Sequence, residues 1–173
     1  MYHNLLQRPY PLLHEDQGII TWYPETGIEF LTLNTAWEID RRFPDRASVN
    51  LEAMGKALLA AEKSPARLRI VVAHHALWAE RQIANLQVIS NLAKSGYRLY
   101  LHGDIHEETS LSVPKGLHAI GTGSLGQGGE GTPRLYGLIE VDRDFKRVML
   151  RRRGQRKAGG AFGPFEEDYE IIL

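Results

Sequence analysis

The chain contains no cysteine, which excludes disulfide bridges, thiolate nucleophiles and Cys-ligated zinc. Any bound metal has to be held by His, Asp, Glu or Asn, ligands that suit Mn, Fe, Zn or Mg. Neither sign of charge is in excess. Twenty-one Lys and Arg balance 21 Asp and Glu, so no global field draws the protein to nucleic acid or to an anionic membrane. No apolar run approaches the roughly 18–20 residues that span a bilayer. The first four residues, Met1 to Asn4, lack the basic and apolar regions of a signal peptide. The expected location is the cytoplasm, with no membrane partner. What is present suits a folded globule: 173 residues, 43% hydrophobic and 24% charged, enough for one domain over residues 1–173 with one sizeable core.

Residues 1–27 show no clear period and read as loop with one short strand at Gly18–Trp22. Ile28–Leu33 is a compact apolar run and reads as a strand. A helix is predicted from a cap at Ser48 to Asn50, with Leu51, Met54, Leu58 and Ala61 at helical spacing, ending at Ser64-Pro65. Leu68–Ala73 has the pattern of a buried parallel strand. A second helix is predicted over Glu80–Lys94, closed by Ser95-Gly96, and Tyr97–Leu101 is the next strand. Strands alternating with helices argue for an α/β layered fold. Beyond residue 106, strands at Thr109–Val113, Leu117–Ile120, Leu135–Val141 and Lys146–Arg152 suggest a C-terminal antiparallel meander. The Gly-rich stretch 154–163 reads as mobile.

Two clusters carry chemistry. Val71-Val72-Ala73-His74-His75 places two histidines directly after a buried strand. Leu101-His102-Gly103-Asp104-Ile105-His106 places two histidines and a carboxylate after the next. Polar groups at the carboxyl ends of parallel strands face the ligand crevice in open α/β sheets, and adjacent strands stand about 4.8 Å apart. Imidazole and carboxylate together suit a divalent first-row metal. Asp104 and His106 share one side of an extended chain, and Gly103 permits close backbone approach. Four of the seven histidines fall at these two strand ends.

Val-Val-Ala-His-His followed by Gly-Asp-Ile-His resembles the last two metal-binding motifs of the calcineurin-like metallophosphoesterases. The stretch from Gly27 to Thr35 is similar to the family's Leu-Asn-Thr/Ser segment, and Ala119 to Leu125 to the strand and Gly-Ser turn beyond Gly-His-x-His. The resemblance covers about residues 20–152. It implies a partial metallophosphoesterase β-sandwich flanked by helices, forming the C-terminal portion of such a domain. It also implies hydrolysis of a phosphomonoester or phosphodiester at a dinuclear site of Mn, Fe, Zn or Mg. By that resemblance His74 and Asp104 would ligate the second metal and His106 the first, while His75 would line the site or stand behind the ligands. Asp104 departs from the family, which has His there. A larger departure is that no Asp-x-His, bridging Gly-Asp or Gly-Asn-His precedes His74. The alternative function is therefore a non-catalytic remnant acting as a protein-interaction module. Self-association or a separate N-terminal half would then cover an unpaired sheet edge.

Other signals carry less. The stretch Gly121 to Gly126 matches a dinucleotide-binding pattern with Asp142 about 20 residues on. Gln127 to Pro133, however, cannot open a stable helix, so the segment reads as a flexible loop near the crevice. Arg143 to Lys157 holds eight basic residues. Without interleaved aromatics it reads as a solvated strand face balanced by Glu166, Glu167, Asp168 and Glu170, not as a nucleic-acid surface. Trp22, Trp37 and Trp78 read as core or interface residues, and Tyr97 and Tyr100 as strand packing.

Overall fold

The structure is a computed structural model that describes residues 12–43, 46–77, 86–103, 108–113, 116–122, 125, 134–157, 159–165 and 167–173, with backbone alone for 108–113 and 122. The β-branched and aromatic runs form the strands. In chain order these are β1 (Gly18–Tyr23), β2 (Ile28–Leu33), β3 (Leu68–Ala73), β4 (Tyr97–His102), β5 (Glu108–Val113) and β6 (Leu117–Thr122), then β7 (Arg134–Val141), β8 (Arg147–Gln155), β9 (Gly163–Pro164) and β10 (Tyr169–Ile172). Helix α1 (Leu51–Ala61) joins β2 to β3, and α2 (Leu86–Lys94) precedes β4. Asn50 caps α1, its Oδ1 accepting from the Ala53 amide at 2.9 Å, as the sequence implied. The beginning of the predicted second helix, residues 80–85, lies outside the described residues.

Six strands form one sheet in the order β1-β2-β3-β4-β6-β5. The central four, β2, β3, β4 and β6, are parallel. The antiparallel strands β1 and β5 close the two edges. On one face Leu31, Leu33, Val71, Ala73, Tyr97 and Tyr100 pack with the buried stripes of both helices. On the other, Leu68, Ile70, Leu99 and Ile120 meet Val148, Leu150 and Ile171 of the second, antiparallel sheet. The expected layered α/β sandwich is thus present, but the four-stranded antiparallel tail, β7 to β10, is made of other strands than the sequence suggested. The pairs 109–113 and 117–120 belong to the main sheet, because the apolar Leu117-Ala119-Ile120 run is buried beside β4.

The stretch 154–163, expected to be a Gly-rich loop, is strand only at its two ends. β8 continues to Gln155, and Gly163-Pro164 pairs with Arg153-Gly154. A Cβ at Gly154 would collide with the Phe165 ring, so the glycine provides close packing here rather than freedom. β10 had no counterpart in the sequence reading. The acidic balance predicted for the basic stretch is observed in part: Arg151 pairs with Asp168 at 2.6 Å and Arg147 lies 3.6 Å from Glu170. Glu166 lies outside the described residues.

Tyr97 is opposite Arg69, whereas Leu99 is opposite Ile70, so Arg98 is an extra residue in β4. Such a bulge shifts the alternation by one. It turns both Tyr97 and Tyr100 toward the helices.

Gly18 lets β1 approach α1. A Cβ there would stand 2.9 Å from the Ala53 carbonyl oxygen, a backbone atom that cannot swing away. Gly18→Ala is expected to cost about 1–3 kcal/mol through overpacking. Urea unfolding measures it, and an unchanged midpoint would contradict this packing argument.

Candidate functional site

The four parallel strands end level with one another. Leu33 stands opposite Ala73, Ala73 opposite His102 and His102 opposite Gly121. The segments beginning at Asn34, His74 and Gly103 therefore emerge side by side at one end of the sheet. His74 is exposed and His75 is buried. Their rings contact edge to face with centroids 4.7 Å apart. The Gly103 amide donates to the His74 carbonyl oxygen at 3.0 Å, joining the loops after β3 and β4. A Cβ on Gly103 would lie 3.6 Å from His74 Nδ1, within ordinary contact distance. Asp104 and His106, the other predicted metal-binding residues, lie outside the described residues. Among the described residues no three His, Asp or Glu side chains converge as a metal-holding group.

His75 is fixed from two sides. Its Nδ1 stands 2.7 Å from the Thr35 hydroxyl, which also accepts from the His75 amide at 3.3 Å. The Tyr100 hydroxyl donates to the His75 carbonyl oxygen at 2.7 Å. Thr35 is 1% exposed, and burial pushes the Tyr100 phenol above its ordinary range. With Nδ1 so engaged and the residue buried, His75 is suited to orienting the segment that carries His74. His102 is also buried, with Nδ1 3.1 Å from the Gly103 carbonyl oxygen.

Thr35 and Tyr100 are the residues that the sequence reading missed as parts of this site. Thr35 could have been found. Leu31 and Leu33 share the helix-side core with Val71 and Ala73. With Leu33 opposite Ala73, continued alternation brings Thr35 opposite His75. Tyr100 could not, because its orientation depends on the bulge at Arg98.

No family model and no curated protein sequence matches the chain. Solved structures do. Purple acid phosphatase from the seeds of yellow lupin (Lupinus luteus) superposes with a TM-score of 0.59 at 14% identity, over 94% of this chain and 34% of that one. A dimetal phosphatase from Danio rerio gives 0.56 at 13% identity, over 87% and 59%. GAP50, the anchor in the inner membrane complex of Plasmodium, gives 0.53 at 13% identity, over 79% and 48%. The chain thus spans between about a third and three fifths of the length of these proteins. Identities this low make the likeness one of fold, and fold does not fix function. Its fold is that of part of a calcineurin-like metallophosphoesterase domain.

Proposed function

We propose that this chain supplies one side of the divalent-metal site of a phosphoesterase, with His74, Asp104 and His106 as ligands and His75 as the residue that orients His74. The observation that carries this reading is the juncture of His74 with Gly103 at the ends of adjacent parallel strands. It sets Gly103, the residue before Asp104 in sequence, against the backbone of the exposed His74. The nitrogen and oxygen donors of His74, Asp104 and His106 are of the kind that suits Mn, Fe, Zn or Mg. A divalent ion held there supplies Lewis-acid polarisation of a phosphate ester. The chain's own groups do the rest: Thr35 and Tyr100 hold His75, His75 packs against His74, and Gly103 fixes the spacing of the two loops.

The test is Mn2+-dependent hydrolysis of bis(p-nitrophenyl) phosphate by the intact chain. His74→Ala and His106→Ala are each expected to lower the rate by more than the roughly 10–100-fold that loss of an outer partner costs. Hydrolysis unchanged by both substitutions overturns the assignment.

A second reading is favoured by the fold likeness to GAP50, an anchor protein. In it the fold serves as an interaction module, and the edge strands β1, β5, β7 and β10 are where a partner or a further length of chain adds. A chain that binds no Mn2+ and self-associates in light scattering supports it. The cytoplasmic location remains our expectation. Among the described residues no helix is long and apolar enough to cross a membrane.

A further inference from the structure

We infer that the outer face of the second sheet pairs with the same face of a second copy of this chain, the two sheets lying face to face about a two-fold axis that crosses the strands. This face holds no residue of the candidate metal site, so the pairing does not depend on the phosphoesterase reading.

Alternation along the strands sets which side chains form the face. Ile139, Val141, Val148, Leu150 and Ile171 pack in the core between the two sheets, so the residues between them point outward. Across the strands the outward residues form rows. Glu170 stands opposite Met149, and Met149 opposite Glu140. In the next row Arg151 is opposite Leu138, then Arg153 opposite Tyr136, then Gln155 opposite Arg134. Glu140, Met149, Arg151 and Glu170 line one shallow hollow together with Asp142 and Arg147, as residues on one side of the sheet must.

Charge is divided along this face. At the Val141 end the four carboxylates of Glu140, Asp142, Asp168 and Glu170 share the two guanidiniums of Arg147 and Arg151 at 2.6 to 3.6 Å, which leaves that half acidic. At the other end Arg134 and Arg153 donate to neutral oxygens, of Gln155 and Arg152, and Arg156 and Lys157 follow where β8 ends. Among the described residues no carboxylate lies within ion-pair distance of Arg134, Arg153, Arg156 or Lys157. A surface built only for solvent intersperses the two signs; this one separates them. Apolar groups stand between and beside the halves. Leu138 is 45% exposed, and the Tyr136 ring lies 5.2 Å from that of Phe162, itself 38% exposed.

A face divided in this way complements itself when turned end for end. A two-fold axis along the row of Leu138 and Arg151 brings Arg153 of one copy over Met149 of the other, between its Glu140 and Glu170, and brings Arg134 over Asp142. Each contact then occurs twice, as in any isologous interface. Leu138 meets its own counterpart at the axis, where Arg151 is already neutralised by Glu140 and Asp168. The result is an apolar centre inside a charged rim, with the sheets aligned as in β-sandwiches. The chain's zero net charge adds no overall repulsion between copies.

The experiment is sedimentation velocity of the intact chain over a range of concentrations, for wild type, Arg153→Glu, Glu170→Arg, Leu138→Lys and an equal mixture of the first two variants. Wild type is expected to form a dimer that salt weakens. Arg153→Glu and Glu170→Arg each set like charges against one another twice and are expected to weaken the dimer about tenfold or more. The mixture is expected to regain near wild-type affinity, because the two reversals then face each other with opposite signs. That recovery also shows that both variants are folded. Leu138→Lys is expected to separate the copies, and Mn2+ binding to be the same throughout. A wild type that stays monomeric at every concentration overturns the inference. So does a dimer that none of the substitutions weakens, which would place the contact at a strand edge. Variants that stay apart when mixed overturn the charge pairing, and a monomer that binds single-stranded oligonucleotide through Arg153 overturns it in favour of nucleic acid.

Discussion

Replacing Arg69 with methionine is expected to lower the unfolding free energy by about 3–5 kcal/mol, the cost of leaving a buried partner charge unpaired. Arg69 stands opposite Glu29 on β2 and Tyr97 on β4. Its Nε lies 3.4 Å from Glu29 Oε1, and the Tyr97 hydroxyl donates to the same oxygen at 3.2 Å. Glu29 is completely buried. The guanidinium also donates to the carbonyl oxygens of Ala61 at 2.6 Å, Ser64 at 3.1 Å and Ser95 at 3.0 Å. These acceptors lie at the ends of α1 and α2, where helical carbonyls lack partners and a positive charge suits the helix dipole. One side chain therefore ties both helices and three strands together at the end of the sheet opposite the candidate site. Burial and the neighbouring Glu29 carboxylate together push the Tyr97 phenol above its ordinary range. Urea unfolding of Arg69→Met, of Glu29→Met and of the double variant separates the terms. The double variant should recover part of the loss because it removes the stranded carboxylate. Recovery of none would place the whole effect in the lost helix contacts.

Thr35→Val is expected to cost about 2–3 kcal/mol, because it leaves the buried His75 amide and imidazole without the hydroxyl that both use. Shape is nearly preserved, so packing contributes little. Thr35→Ser, which keeps the oxygen, should remain close to wild type. Beyond stability, the valine variant should weaken Mn2+ binding more than its fold loss explains, since His75 then no longer orients the His74 segment. Urea titration and Mn2+ titration of the same samples read the two effects separately. If Thr35→Val unfolds at the wild-type midpoint, the hydroxyl does not anchor His75.

Much of this architecture could be read from residue order, for identifiable reasons. Leu68–Ala73 and Ile28–Leu33 are short, apolar and bounded by turn residues, which is why their boundaries match β3 and β2. The cap at Asn50 and the stripe from Met54 to Ala61 define α1 locally. Long-range pairing was less legible. Nothing local distinguishes β6, which runs parallel to β4, from a strand of the antiparallel tail. Tyr169-Glu170-Ile171-Ile172 becomes a strand through pairing with β8, not through its own pattern. At the site, the histidines at the ends of β3 and β4 were legible because imidazole at a parallel strand's carboxyl end is chemically distinctive. The Thr35 hydroxyl needed the register of β2 against β3. The role of Tyr100 needed a bulge that no single strand encodes.

His74, Asp104 and His106 are the ligands we propose for a divalent ion. Paramagnetic broadening of the imidazole proton signals by substoichiometric Mn2+ tests this most directly, with signals assigned by single His→Gln variants. The account predicts that the His74 and His106 signals broaden first. His118, near the start of β6 and hydrogen-bonded to the Ile172 backbone at the other end of the sheet, should stay sharp. Uniform weak broadening, or a His118 signal lost before that of His74, would contradict it.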